Sequence, residues 1–325
     1  MNKVPAFLIF LGLICFYFCG HTQKSYLNYH REVVKCENLI AKRKYKDAIY
    51  VFDSLFKRFD FVYLRDIKLA TQLCAFEKDS HAGLRFIKSG IINGWALENL
   101  LKNDKLSLFH EDPSWENILE EYDSLHRTYL TRLNLELKNE VHEMFKKDQR
   151  KAFVALLKVG QKAKRKYSEK KFAPHSEHQL KKLDQILDQY GYPGERLIGN
   201  NWWGSVILSH HNSISVNYNS RDTIYAQIKP KLLAALKRGE ISPYELAQIE
   251  DWRVAVLNAH KLTSHGFLGA IPDDEALETV NKNRADIGLR DIELRNDLIA
   301  IEKETGMNLY LPKGWQNGKI TIDNK

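Results

Sequence analysis

At 325 residues, with 44% hydrophobic content and 8 prolines, the chain has room for about two globular domains of roughly 150 residues each and falls outside the disordered class. Its net charge of +8 is uneven, because between Lys146 and Lys171 eleven lysines and arginines face only Asp148 and Glu169. No CxxC pair, Walker loop, GxGxxG turn or Gly-x-Ser-x-Gly elbow occurs, which removes the sequence case for structural zinc, nucleotide binding and a serine hydrolase.

Residues 1–20 read as a signal segment. Lys3 supplies the positive start, and Pro5 to Phe18 is an apolar run of signal-core length, shorter than the about 20 residues that span a bilayer. Export through the inner membrane of a bacterium-like cell follows, to the periplasm or cell envelope, with a short uncleaved anchor as the alternative. Lipoprotein anchoring has little support, since Cys19 follows Phe18 and Cys15 follows Ile14 where a small residue is wanted. Past this segment only Cys36 and Cys74 remain. An oxidising compartment permits one disulfide between them, and two small buried apolar residues is the simpler reading. In a cytoplasmic protein the basic run would suit nucleic acid. Export argues against that partner and leaves anionic lipid at Lys146–Lys171, or a solvated helix face.

The expected fold is mainly α, with a repeat-like helical domain over 25–134, a second helical domain over 135–315 and a tail at 316–325. Leu39, Tyr45, Ala48 and Phe52 resemble the middle of a tetratricopeptide repeat, in which small and aromatic residues interlock two antiparallel helices. A second helical pair is expected around Leu69–Cys74 and Leu84–Ile92, and Gly94-Trp95 marks a turn. Asp112-Pro113 reads as an N-cap followed by a first-turn proline. A long amphipathic helix is expected from Leu135 through Lys158, then an exposed loop over Tyr167–Ser176, where Pro174 breaks the helix. Further helices follow over Ser176–Tyr190, after the capping box of Ser242-Pro243-Tyr244-Glu245, and from Asp291 to Gly306. The stretch from Asn308 to Trp315 is expected to lie along its domain as an extended strip.

Several motifs then recur in order. They are Asp148-Gln149, Tyr190-Gly191-Tyr192-Pro193, Gly199, an apolar helix ending in His210, Gly239-Glu240-Ile241-Ser242, Leu246 to Asp251, Gly266 and Asn281-x-x-Arg284-x-x-x-Gly288-Leu289. This succession, over about Glu136 to Leu311, resembles the bacterial family catalogued as domain of unknown function 6624. The resemblance implies a domain and no activity. The chain departs from the family's pattern at Ser209, His211 and Asn212 around the shared histidine, at Trp252 after Asp251, and at His265, Phe267 and Leu268 around Gly266.

The candidate site centres on His210. It follows Trp202, Trp203, Val206 and Ile207 at three- and four-residue spacing, which puts it on the core-facing side of its helix, with His211 turned about 100° towards solvent. A histidine there serves either as a base near neutral pH or as a hydrogen-bonded core residue. Asp251 is its expected orienting carboxylate, and Arg253 or Arg284 the expected anion holder. The alternative for Asp251 is an ion pair with either arginine. His210, His211, His260 and His265 lack the i, i+4 spacing of helical metal ligands, so neither metal nor cofactor is expected. Two functions compete. One is an envelope interaction or scaffold module that docks a protein partner through the N-terminal helices. The other is a hydrolytic enzyme using His210.

Overall fold

The computed structural model describes residues 25–312 and 318–322, so the signal segment and half of the tail lie outside the described residues. The fold is all helix, and no strand occurs among the described residues. Two antiparallel hairpins come first: α1 (Tyr26–Ala41) with α2 (Tyr45–Arg58), and α3 (Leu64–Glu77) with α4 (Ser80–Ile92). Ser25 and Asp79 start α1 and α4 by accepting hydrogen bonds from the backbone N–H groups of Leu27 and Ala82, which satisfies donors that a helix start otherwise leaves unpaired. Tyr45, Ala48 and Phe52 all turn inwards, as do Cys36 and Cys74, which are free and fully buried. Burial and the nearby carboxylates, Glu37 for one and Asp79 for the other, push both thiols well above their ordinary range.

Short helical turns over 97–110 lead to α5 (Trp115–Arg132). Asp112 does not cap α5 as expected. Its side chain accepts from the N–H of Ser114, inside a tight turn that Pro113 helps to set, and the helix begins at Trp115. Then come α6 (Leu135–Leu156), α7 (Gln161–Tyr167) and α8 (Ala173–Gln189). The loop expected over Tyr167–Ser176 is helical instead: a π-turn over 168–172 carries the chain into α8. Pro174 sits in the first turn of α8, directly after the π-turn. Phe172, Ala173 and Ser176 are buried, which an exposed loop would not allow.

Apart from single turns at Glu195–Ile198 and Val216–Asn219, the remaining helices are α9 (Trp203–Asn212), α10 (Ile224–Arg238), α11 (Pro243–Leu257), α12 (Asp274–Asp286) and α13 (Ile292–Thr305). A full capping box of Ser242 and Glu245 opens α11, and Gly239 and Gly306 end α10 and α13 in left-handed conformation. A second core gathers Leu137, Leu183, Ile207, Leu208, Leu232 and Ile249. The first core is less local. It takes in Leu294, Leu298, Ile301, Met307 and Leu309 from the end of the chain, because α13 returns to pack on α1.

Candidate functional site

A cavity of about 840 Å³ lies where the N-terminal hairpins meet the later helices, within the size range of small-molecule sites. Its walls are single helix faces. α1 presents His30, Val33, Val34 and Glu37, at i, i+3, i+4 and i+7; the start of α3 adds Arg65 and Lys68. Trp202, Ser205, Val206, Ser209 and His210 form the α9 wall, and Glu245, Gln248 and Trp252 the α11 wall. The strip Asn308–Pro312 closes one side. It is the described part of the stretch expected to lie extended, whose residues 313–315 lie outside the described residues, and Met307 and Leu309 pin it into the first core.

His210 is half-buried, and its Nδ1 lies 2.5 Å from Oδ2 of Asp148 on α6. Asp148 is completely buried, and its second oxygen has no hydrogen-bond partner. A buried carboxylate on Nδ1 fixes one tautomer and the ring orientation. Nε2 is then the nitrogen left for chemistry in the cavity. The expected carboxylate, Asp251, is therefore not the one that holds His210, and the core-facing side of α9 is not its side. Ile207 and Leu208 face the core, whereas Trp202 is 71% exposed at the cavity rim. The two histidines exchange roles as well: His211 is the fully buried one.

Glu195, on the short turn that begins at 195, is the cavity carboxyl with a strongly raised pKa. Burial raises its carboxyl, Glu245 and Asp66 add to the rise, and the N–H of Leu64, donating at 2.7 Å, offsets only part of it; the pKa is pushed up to about 8. Nearby Lys68 makes no ion pair among the described residues, and burial lowers its pKa while Glu195 opposes the fall. Its ammonium lies over the rings of Trp95 and Tyr310 at 5.4 and 5.7 Å. Burial also raises Glu245, whose oxygens accept from the hydroxyls of Tyr192 and Ser242.

The other expected site residues hold the scaffold. Asp251 is buried and accepts four backbone hydrogen bonds, from Ser264, His265, Phe267 and Leu268 at 2.6 to 3.2 Å. Four N–H groups converging on one carboxylate fold the 264–268 loop, so neither the orienting role nor an ion pair with Arg253 or Arg284 describes it. Arg253 pairs instead with Asp222 at 3.0 Å and donates to the carbonyl of Asn219. Arg284 is buried and donates to the carbonyls of Arg290 and His265. None of these three lines the cavity, and no group of three or more metal-ligating side chains converges among the described residues. Asp251→Ala is expected to lower stability by about 3 kcal/mol or more, since it strands several buried N–H donors. Urea unfolding measures this, and a loss under about 1 kcal/mol would contradict the loop-folding role.

A Ser-His-Asp constellation is also present: Ser176 Oγ lies 3.0 Å from His211 Nδ1, and His211 Nε2 lies 3.3 Å from Asp222. All three side chains are closed to solvent and none lines the cavity, so this is an internal tie between α8, α9 and the start of α10. A scan against family models, a search of curated proteins and a search of solved structures each find no match to this chain.

Proposed function

We propose that the chain is a hydrolytic enzyme for a small polar substrate, with His210 as general base, Asp148 as the carboxylate that positions it and Glu195 as general acid. The observation that carries this reading is two titratable groups in one cavity with contrasting environments: a histidine on a buried carboxylate, and a carboxyl with its pKa at about 8. A carboxyl that keeps its proton near neutral pH can serve as the acid beside a histidine whose free ring nitrogen serves as the base. Nε2 of His210 takes a proton from a water molecule, the resulting hydroxide adds to the scissile centre, and Glu195 gives its proton to the leaving group. Lys68 is the cation available to hold an anionic part of the substrate. The docking reading of the N-terminal helices has less support, because α13 packs on α1 and takes up part of their surface. If residues 1–20 act as an export signal, the reaction belongs to the cell envelope.

The test is a panel of chromogenic esters, phosphoesters and amides, assayed with the wild type and with His210→Gln across pH. Activity is expected to fall as pH rises through about 8, where Glu195 gives up its proton, and to drop by about 10²-fold or more in His210→Gln. A hydrolysis that His210→Gln leaves unchanged would sink the proposed base. In Glu195→Gln the alkaline fall near that pH should vanish together with most of the activity. Its persistence would assign it to another group.

A further inference from the structure

The outer end of the α6–α7 hairpin takes no part in the proposed chemistry. Phe153, Leu156, Leu157 and Val159 are 59, 72, 63 and 92% exposed there, and no hydrophobic cluster among the described residues takes them in. Gly160, at φ +81, turns the chain, and the hydroxyl of Tyr167 donates to the carbonyl of Lys151, so α7 runs back beside α6 and leaves these four side chains at the closed tip. Around the tip, Arg150, Lys151, Lys162, Lys164, Arg165 and Lys166 are exposed. Of the eleven basic residues from Lys146 to Lys171, only Lys146 makes an ion pair among the described residues, with Glu143. The two acids of the run are engaged elsewhere, Asp148 by His210 and Glu169 by the hydroxyl of Ser215.

We propose that this tip docks the protein on an anionic lipid bilayer, with Phe153, Leu156, Leu157 and Val159 in the interfacial layer and the surrounding lysines and arginines on the head-group phosphates. Clustered apolar side chains are unfavourable in water and favourable at the acyl boundary, and cations beside them gain from negative head groups. Nucleic acid would engage the cations but leave three aliphatic side chains in water without a base to stack on. The contact is peripheral, since no described helix is long and apolar enough to cross a membrane. Asp148 lies on the same helix as Phe153, roughly 7.5 Å along its axis at 1.5 Å per residue. Docking therefore sets the His210–Asp148 pair close above the head groups.

Vesicle flotation tests this with the chain from Ser25 onwards, which keeps every described residue and excludes the apolar run of residues 5–18. The probes are phosphatidylcholine vesicles with and without one part in four of phosphatidylglycerol, and an unstructured RNA. Binding to anionic vesicles is expected to exceed binding to neutral ones by about tenfold or more, and to weaken by a similar factor between about 0.1 and 0.5 M salt. The triple change Phe153→Ser, Leu156→Ser and Leu157→Ser should weaken it about tenfold, and Lys162→Glu, Lys164→Glu and Lys166→Glu by about tenfold or more. All six positions are exposed, so circular dichroism and melting temperature should stay at wild-type values. Equal binding to both vesicle types, wild-type binding by both variant sets, or capture of RNA without vesicles would overturn the proposal.

Discussion

Asp148→Asn is expected to lower kcat by about 10²–10⁴-fold with KM changed only a few-fold, because the substitution acts on the tautomer of His210 and not on the cavity wall. In the wild type the carboxylate accepts the proton of Nδ1 at 2.5 Å, which leaves Nε2 as the acceptor. An amide can turn its NH₂ towards Nδ1, so that the ring carries its proton on Nε2 and can no longer take one from water. The imidazolium formed during turnover would also lose its buried counter-charge. Stability should change little or rise, since a fully buried carboxylate with one unpartnered oxygen disappears. Steady-state kinetics and thermal melting of the same preparation separate the two effects. Wild-type kcat in a folded Asp148→Asn protein would remove Asp148 from the proposed mechanism.

Glu37→Ala is expected to cost about 3–5 kcal/mol, enough to unfold many domains, because it takes the one paired carboxylate from the buried guanidinium of Arg290 and one of two from Arg65. Glu37 is 1% exposed and accepts from Arg290 and from Arg65, the latter at 2.8 Å. Arg65 also reaches Asp66 at 2.8 Å, and Asp66 accepts from the hydroxyl of Tyr29. Arg290 comes from the segment between α12 and α13, so this network ties the first hairpins to the last part of the chain. Burial alone would raise the Glu37 carboxyl, but Arg290 and Arg65 outweigh it and hold it below the ordinary range. A lowered carboxyl contributes stability above its unfolded pKa and loses it as pH falls through its folded value. Neighbouring His30 acts in the same direction: burial, helped by Arg65, lowers it to about 3. It stays neutral when folded, and stability should fall by up to about 1.4 kcal/mol per unit as pH drops from about 6.5 towards that value. Urea midpoints of the wild type and His30→Gln between pH 7 and pH 4 measure this. Identical slopes would show that His30 is not the group responsible.

How much of this was legible in the sequence depends on distance along the chain. Several helix starts and stops were, because Asp291, the capping box at Ser242 and the glycines at 239 and 306 act on backbone groups within four residues, although Asp112 did not cap as expected. The α13 stripe was equally visible, but its partner was not, since periodicity names a face and not what covers it. Pro174 misled because a proline that ends one helix and one that begins another look alike in sequence. At the site, His210 could be singled out by its helix, whereas its partner Asp148 lies 62 residues away and could be noted only as part of a motif. Asp251 lay closer in sequence and in a similar context, yet its oxygens are saturated by a loop whose shape no spacing announces. Glu195 and Lys68 left less trace still. The one available signal was on α1, where His30 and Glu37 occupy the same face as Val33, an unusual pair for a stripe that packs inwards.

The return of α13 to α1 bears on how the molecule comes apart. The first core needs side chains from both ends of the chain, and the buried Glu37–Arg290 pair spans 253 residues. A cut near Asn134 would not release two independent units, because the first would lack part of its interior and the second would carry an uncovered apolar helix. The cavity inherits this closure. Its walls come from both sequence halves, which the Glu37–Arg290 pair holds to each other, and Trp202 stands exposed at its rim.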